Sequence, residues 1–213
     1  MSENRENERV WTPANIITLV RILLIPVFVA VLLSPWPLWM PHSEFWSFWQ
    51  PWVAAVVFAG ISFTDAIDGH LARSRNEVTD LGKFLDPLAD KILVCSALLA
   101  LIDLHVLPSW IALIIIAREF IVSGLRMIAS AQGKVIAASY LGKVKTVLQI
   151  CAIILFIVKD SAAISLLDTP VFTGISILAW LVMAAAVVMT IVSLVDYFAK
   201  SKELLGFKKR SGR

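Results

Sequence analysis

Four aspartates crowd into 26 residues of a chain that is otherwise strongly apolar: Asp65 and Asp68, then Asp86 and Asp90. In an apolar segment each carboxylate costs on the order of 3 kcal/mol. Four close together also repel one another unless positive charge lies between them. Two divalent cations would balance four negative charges. An all-oxygen donor set suits Mg²⁺ or Mn²⁺ and argues against zinc or copper. Two such ions about 4 Å apart can polarise both the attacking and the leaving oxygen of a phosphoryl displacement.

The spacing sharpens this reading. Asp65 and Asp68 are three residues apart, and Asp86 and Asp90 four apart, so each pair falls on one face of a helix. The first pair closes one apolar segment and the second opens the next. An antiparallel helix pair would bring all four to one membrane depth. Gly69, Ala72 and Gly82 carry almost no side chain, which lets a nucleotide approach the backbone. Arg73 offers a planar fork that can clamp a diphosphate. Pro87 sits early in the second segment, as at a helix start. Either aspartate pair alone reads as a solvated helix cap. All the fixed positions together, at these offsets, do not.

The elements that position these residues follow from composition. The 213 residues are 59% hydrophobic and 16% charged, with a mean hydropathy of +0.82; a soluble domain carries roughly 25% charge. Apolar runs near the ~20 residues needed to cross a bilayer predict six membrane helices, at about 15–33, 52–71, 82–104, 108–128, 141–158 and 172–198. The expected fold class is therefore an all-α integral membrane protein, one catalytic domain over 1–213. Of 19 Lys and Arg residues, only Lys159 falls on the side that receives the 34–51, 103–107 and 159–171 connections. The positive-inside rule then makes the opposite side cytoplasmic, with both termini and the aspartates facing it. The first 14 residues form a cytoplasmic tail, and no removable signal peptide is evident. The 34–51 segment holds Trp36, Trp39, Phe45, Trp46, Phe48 and Trp49, and reads as an outer-side loop lying among lipid headgroups. The 200–213 tail has six basic residues and one acid, suited to orientation and to anionic lipid. Net charge is +3, but the basic residues lie at membrane edges, which excludes a nucleic-acid surface. Cys95 and Cys151 lie in apolar runs and read as small buried hydrophobes.

The string Asp65-x-x-Asp68-Gly69-x-x-Ala72-Arg73-x₈-Gly82-x-x-x-Asp86-x-x-x-Asp90 resembles, at every position, the signature of the CDP-alcohol phosphotransferases. These are six-helix membrane enzymes that displace CMP from a CDP-linked substrate with an alcohol. The resemblance implies two metal ions held by Asp65, Asp68, Asp86 and Asp90. It further implies CDP contacts at Asp68, Gly69, Ala72, Arg73 and Gly82, a general-base role for Asp90, and a homodimer.

The signature does not specify the alcohol. Arg118 and Arg126 interrupt the fourth apolar run, and Lys143 and Lys145 open the fifth. Arginine inside an apolar span points to function. The two arginines are eight residues apart, about 80° around a helix, so with the lysines they could line one cytoplasmic cavity for a second anion. The bland alternative is a structural Arg118–Glu119 pair beside snorkelling lysines, with Glu119 an ion-pair partner rather than a catalyst. A cationic pocket favours a phosphorylated acceptor over choline, ethanolamine or serine. The segments 13–26, 84–91, 118–119 and 142–146 resemble the branch of the family that uses glycerol 3-phosphate. The expected reaction is transfer of the phosphatidyl group from CDP-diacylglycerol to sn-glycerol 3-phosphate in the cell membrane, giving phosphatidylglycerol phosphate and CMP. Two alternatives are an inositol-phosphate acceptor and, from a different class, a small cation transporter. A transporter needs neither the small residues nor Arg73 at fixed offsets, and it would place acids near the midplane.

Overall fold

A computed structural model of the chain describes residues 13–33, 44–75, 80–131, 140–166 and 169–204; the side chains of 13–15, 44, 65–75, 80–87, 90, 131 and 201–204 lie outside that description. Every regular element among the described residues is helical: α1 (Pro13–Leu33), α2 (Glu44–Arg75), α3 (Asp80–Asp103), α4 (Ser109–Ala131), α5 (Tyr140–Val158), the single turn α6 (Ala162–Ser165) and α7 (Thr169–Leu204). Each of the six expected segments falls on one of the long helices. By length and composition α1, α5 and α7 can cross a membrane, over Ile16–Leu33, Tyr140–Val158 and Thr169–Lys200. Side chains such as Leu23, Val56, Leu113 and Leu181 are each at least 63% exposed. Water would penalise so much apolar surface, whereas lipid does not.

Three boundaries differ from the sequence expectation. α2 starts at Glu44, so Phe45, Trp46, Phe48 and Trp49 belong to a helix rather than to a loop. Pro51 removes one backbone donor but does not end the helix; a Phe45–Trp49 ring contact at 6.4 Å bridges the turn before it. α3 starts at Asp80, which makes Pro87 its eighth residue and not a member of its first turn. α7 runs on to Leu204, into the stretch expected as a tail. Residues 34–43 and 205–213 lie outside the described part.

The chain divides into two compact units, Met1–Ala100 and Leu101–Arg213. In the first, α1 packs on α2. Phe28 and Phe58 meet with ring centroids 5.4 Å apart, and Gln50 Nε2 donates to the Leu32 carbonyl at 2.9 Å. An apolar cavity of about 520 Å³ opens between α1 (Ile22, Pro26, Val29, Leu33) and α3 (Ile92, Ser96). In the second unit α7 is the central helix, with α4 and α5 packed on it. Its buried stripe is Ala179, Met183, Ala186, Thr190, Ser193 and Tyr197. The steps of four and three residues keep one face inward, and the small residues let neighbouring backbones approach closely.

α3 ends in a Schellman turn. Val106 N–H donates to the Leu101 carbonyl at 3.1 Å and His105 N–H to Ile102 at 2.9 Å. This geometry places His105 at φ 59°, a left-handed position that usually takes glycine.

Candidate active site

The aspartate motif divides between two helices of the first unit. Positions 65, 68, 69, 72 and 73 occupy the last three turns of α2. Positions 82, 86 and 90 occupy the first three turns of α3, and residues 76–79 lie between the helices. The backbone is helical at all of these positions. The carboxylate geometry and the CDP contacts expected at Asp68, Gly69, Ala72, Arg73 and Gly82 fall outside the described residues. Among the described residues no group of His, Cys, Asp and Glu side chains could hold a metal. The donor set itself, four carboxylates with no thiolate or imidazole at the motif positions, fits hard divalent cations.

The second expected cluster is described in full. Arg118 is 7% exposed and Lys145 2% exposed. Arginine so deep in an apolar helix is costly unless it is matched, and here it is. Arg118 Nη1 lies 3.3 Å from Glu119 Oε1, and Lys145 Nζ pairs with the same oxygen. Arg118 Nη2 also donates to Ser193 Oγ on α7. The guanidinium carbons of Arg118 and Arg126 each lie 5.6 Å from the Tyr197 ring centroid, a separation at which the π face attracts a cation. Tyr197 is itself buried, packed with Val122 and Ala129 of α4. α4, α5 and α7 thus hold two buried cations, one carboxylate and a more exposed arginine in a single connected group.

Of the four expected acceptor residues, the structure joins Arg118, Lys145 and, through Tyr197, Arg126. Lys143 is exposed on α5 and outside the network. The Arg118–Glu119 pair is present, and Glu119 is the shared acceptor of both buried cations. Three neighbours were not singled out from sequence: Ser193, Tyr197 and Gln149. Gln149 lies one turn beyond Lys145, 2% exposed, and its Oε1 is buried without a hydrogen-bond partner. The available signal was a polar stripe in the last apolar run, with Thr190, Ser193 and Tyr197 at steps of three and four.

The sequence model for CDP-alcohol phosphatidyltransferase matches residues 11–192. The chain belongs to this family. Its sequence is 41% identical over 201 residues to the CDP-diacylglycerol–glycerol-3-phosphate 3-phosphatidyltransferase of Bacillus subtilis (strain 168), covering 90% of this chain and 95% of that one. It is 37% identical to a probable phosphatidylglycerophosphate synthase of Mycobacterium tuberculosis, over 93% of this chain and 85% of the other. Against the 3-phosphatidyltransferase of Escherichia coli (strain K12), identity is 41% over 143 residues, 65% of this chain and 72% of that protein. CDP-alcohol phosphatidyltransferases generally depend on divalent metal, in agreement with the donor chemistry of the aspartates. Their membership also sets the transporter reading aside, because the family is one of phosphatidyl-transferring enzymes.

Proposed function

We propose that this phosphatidyltransferase transfers the phosphatidyl group of CDP-diacylglycerol to sn-glycerol 3-phosphate, releasing CMP and leaving phosphatidylglycerol phosphate. The observation that carries the acceptor assignment is the pairing of two buried cations, Arg118 and Lys145, with one carboxylate, Glu119. Excess positive charge in a dry setting favours an anionic acceptor and penalises neutral or cationic alcohols. The names of the relatives over most of the chain support the same acceptor.

In this reading an acceptor hydroxyl forms a new bond to the diacylglycerol-linked phosphorus. The bond from that phosphorus to CMP breaks, and CMP departs with the electron pair. Asp90 takes the proton of the attacking hydroxyl. Arg73 clamps the diphosphate, while Asp68, Gly69, Ala72 and Gly82 receive the cytidine end. Arg118, Arg126, Lys143 and Lys145 bind the acceptor phosphate. Asp65, Asp68, Asp86 and Asp90 would hold two Mg²⁺ or Mn²⁺ ions, which when bound neutralise charge on the phosphate oxygens. Positioning and charge neutralisation are most of what phosphoryl transfer requires.

The six long helices would all cross the cell membrane, with both termini and the site on the cytoplasmic side and the protein a homodimer. The apolar cavity beside α1 is suited to a lipid chain, which agrees with a donor drawn from the bilayer. The rings of Phe45, Trp46 and Trp49 would mark the outer headgroup layer. The deciding experiment measures CMP release from CDP-diacylglycerol by the purified protein with Mg²⁺, offering glycerol 3-phosphate, inositol phosphate, serine or no acceptor. Release with glycerol 3-phosphate alone is expected. Release with inositol phosphate alone would keep the aspartate chemistry and replace the acceptor. No release with any acceptor would overturn the assignment.

A further inference from the structure

α1 and α2 meet along two stripes with matching periodicity. On α1 the buried positions are Thr18, Arg21, Ile25, Phe28 and Leu32, none more than 4% exposed, while Leu19, Val20, Leu23 and Val27 between them are at least 41% exposed. On α2 the buried stripe is Ala54, Phe58 and Ile61. Both advance by three and four residues, the spacing of a helix–helix seam.

Two contacts set the register. Phe28 meets Phe58, and Gln50 reaches the Leu32 carbonyl, so the helices run antiparallel. From Phe28 back to Arg21 is seven residues, and from Phe58 forward to Asp65 is also seven. At about 1.5 Å per residue both steps cover ~10 Å in the same direction along the pair. The level of Ile25 is therefore that of Ile61, the level of Arg21 that of Asp65, and the level of Thr18 that of Asp68. Asp65 and Asp68 are also the next two steps of the α2 stripe. The polar end of the α1 seam thus runs alongside the first aspartate pair.

Arg21 is 2% exposed and Thr18 1% exposed within a highly apolar helix, and both are engaged by neighbouring groups. A guanidinium so placed needs a matching anion, and its fork suits a carboxylate better than an ammonium does. We propose that Arg21 and Thr18 are positioning residues of the aspartate site, set by the register of α1 on α2 at the levels of positions 65 and 68. α1 then supports the part of α2 that carries the first aspartate pair, an inference that rests on the phosphatidyltransferase reading above. Such outer partners of a metal ligand typically account for about 10–100-fold in metal affinity.

The test is Mn²⁺ binding to the purified protein without lipid substrate, followed by the electron paramagnetic resonance signal of free Mn²⁺. Arg21→Gln is expected to weaken binding by about 10–100-fold, and Arg21→Lys to weaken it less. Ile25→Ala, on the same seam, should lower the melting temperature and leave Mn²⁺ affinity unchanged, which separates orientation from packing. Unchanged Mn²⁺ affinity in Arg21→Gln overturns the inference. So does tighter binding, the result of merely removing a repelling cation. Should Arg21→Gln not fold, unchanged affinity in both Arg21→Lys and Thr18→Val overturns it equally. A wild-type protein that neither binds Mn²⁺ nor releases CMP overturns the phosphatidyltransferase reading and this inference together. A wild type that does both, beside an unaffected Arg21→Gln, overturns this inference alone.

Discussion

Glu119→Gln is the most informative single change in the cationic group. Glu119 Oε1 receives both Arg118 and Lys145, and the glutamine keeps the shape while removing the charge. Two cations, 7% and 2% exposed, then face each other without their carboxylate. Removing one partner of a buried ion pair costs about 3–5 kcal/mol. The Glu119 side chain keeps 16% exposure and Arg118 keeps Ser193, so the lower end, about 3 kcal/mol, is the better figure. In a chain of this size 1 kcal/mol moves the melting temperature by roughly 2–4 °C, so a fall of about 6–12 °C is expected. Thermal unfolding in detergent measures it. Adding Lys145→Met should recover part of the loss, because a buried charge is replaced by an apolar side chain of similar length. A single mutant within about 2 °C of wild type would refute the reasoning. A double mutant less stable than the single one would refute it too, by showing that Lys145 does not depend on Glu119.

Four further outcomes are expected. Asp90→Asn should keep CDP-diacylglycerol binding and lose turnover, read by single-turnover CMP release beside a binding titration; loss of binding would make Asp90 a structural ligand only. Lys143→Ala should raise KM for glycerol 3-phosphate by up to about fivefold, one solvent-screened charge, with KM for CDP-diacylglycerol unmoved; equal effects on both count against its place in the acceptor site. Tyr197→Leu removes the ring shared by Arg118 and Arg126 and should raise KM for glycerol 3-phosphate about 10-fold, whereas Tyr197→Phe keeps the ring and should raise it less. At the α3 turn, His105→Val should lower stability by about 1–2 kcal/mol because a β-branched residue tolerates left-handed φ poorly, and His105→Gly should match or exceed wild type in the same melting experiment.

The sequence was informative where the chemistry is local. Asp65 and Asp68 share one helix and Asp86 and Asp90 the next, so their residue types and spacing carried the phosphoryl-transfer reading, and the resemblance of the whole motif carried the family. The long helices were legible because an apolar run of about 20 residues admits little else in a bilayer. The aromatic residues before Pro51 read as an interfacial loop, yet α2 starts at Glu44 and continues through Pro51, because a single missing backbone donor does not by itself end a helix. α6 was illegible because one turn has no periodicity; only the Ser161 cap, accepting from the Ile164 N–H, marks it. The left-handed His105 carried no signal either, since glycine is the usual residue there. Arg21, Ser193 and Tyr197 were passed over for a different reason. Their roles depend on which helices pack together and in what register, and that information is distributed between segments up to 75 residues apart, as in the Arg118–Ser193 bond.

That distribution bears on how a membrane enzyme can hold a doubly charged acceptor. Arg118, Glu119 and Lys145 together carry one net positive charge, which in the proposed acceptor site would attract an anion while each ion keeps a partner in its absence. Without Glu119 the pocket would be more positive, but the two buried cations would repel one another in the empty enzyme and destabilise it. Without the arginine or the lysine the carboxylate would cancel the attraction. Arg126 supplies a second charge at a more exposed position, where solvation is cheap, and Tyr197 ties it to Arg118. Lys143, fully outside the network, adds a third that water screens. In the proposed acceptor site this grading, from the paired interior to the more exposed Arg126 and Lys143, would let a phosphate dianion meet positive charge before it sheds its hydration. A pocket of this kind discriminates by charge first and by hydroxyl geometry second. Inositol phosphate is then a closer competitor for glycerol 3-phosphate than free glycerol is, and competition assays against CMP release should rank them in that order.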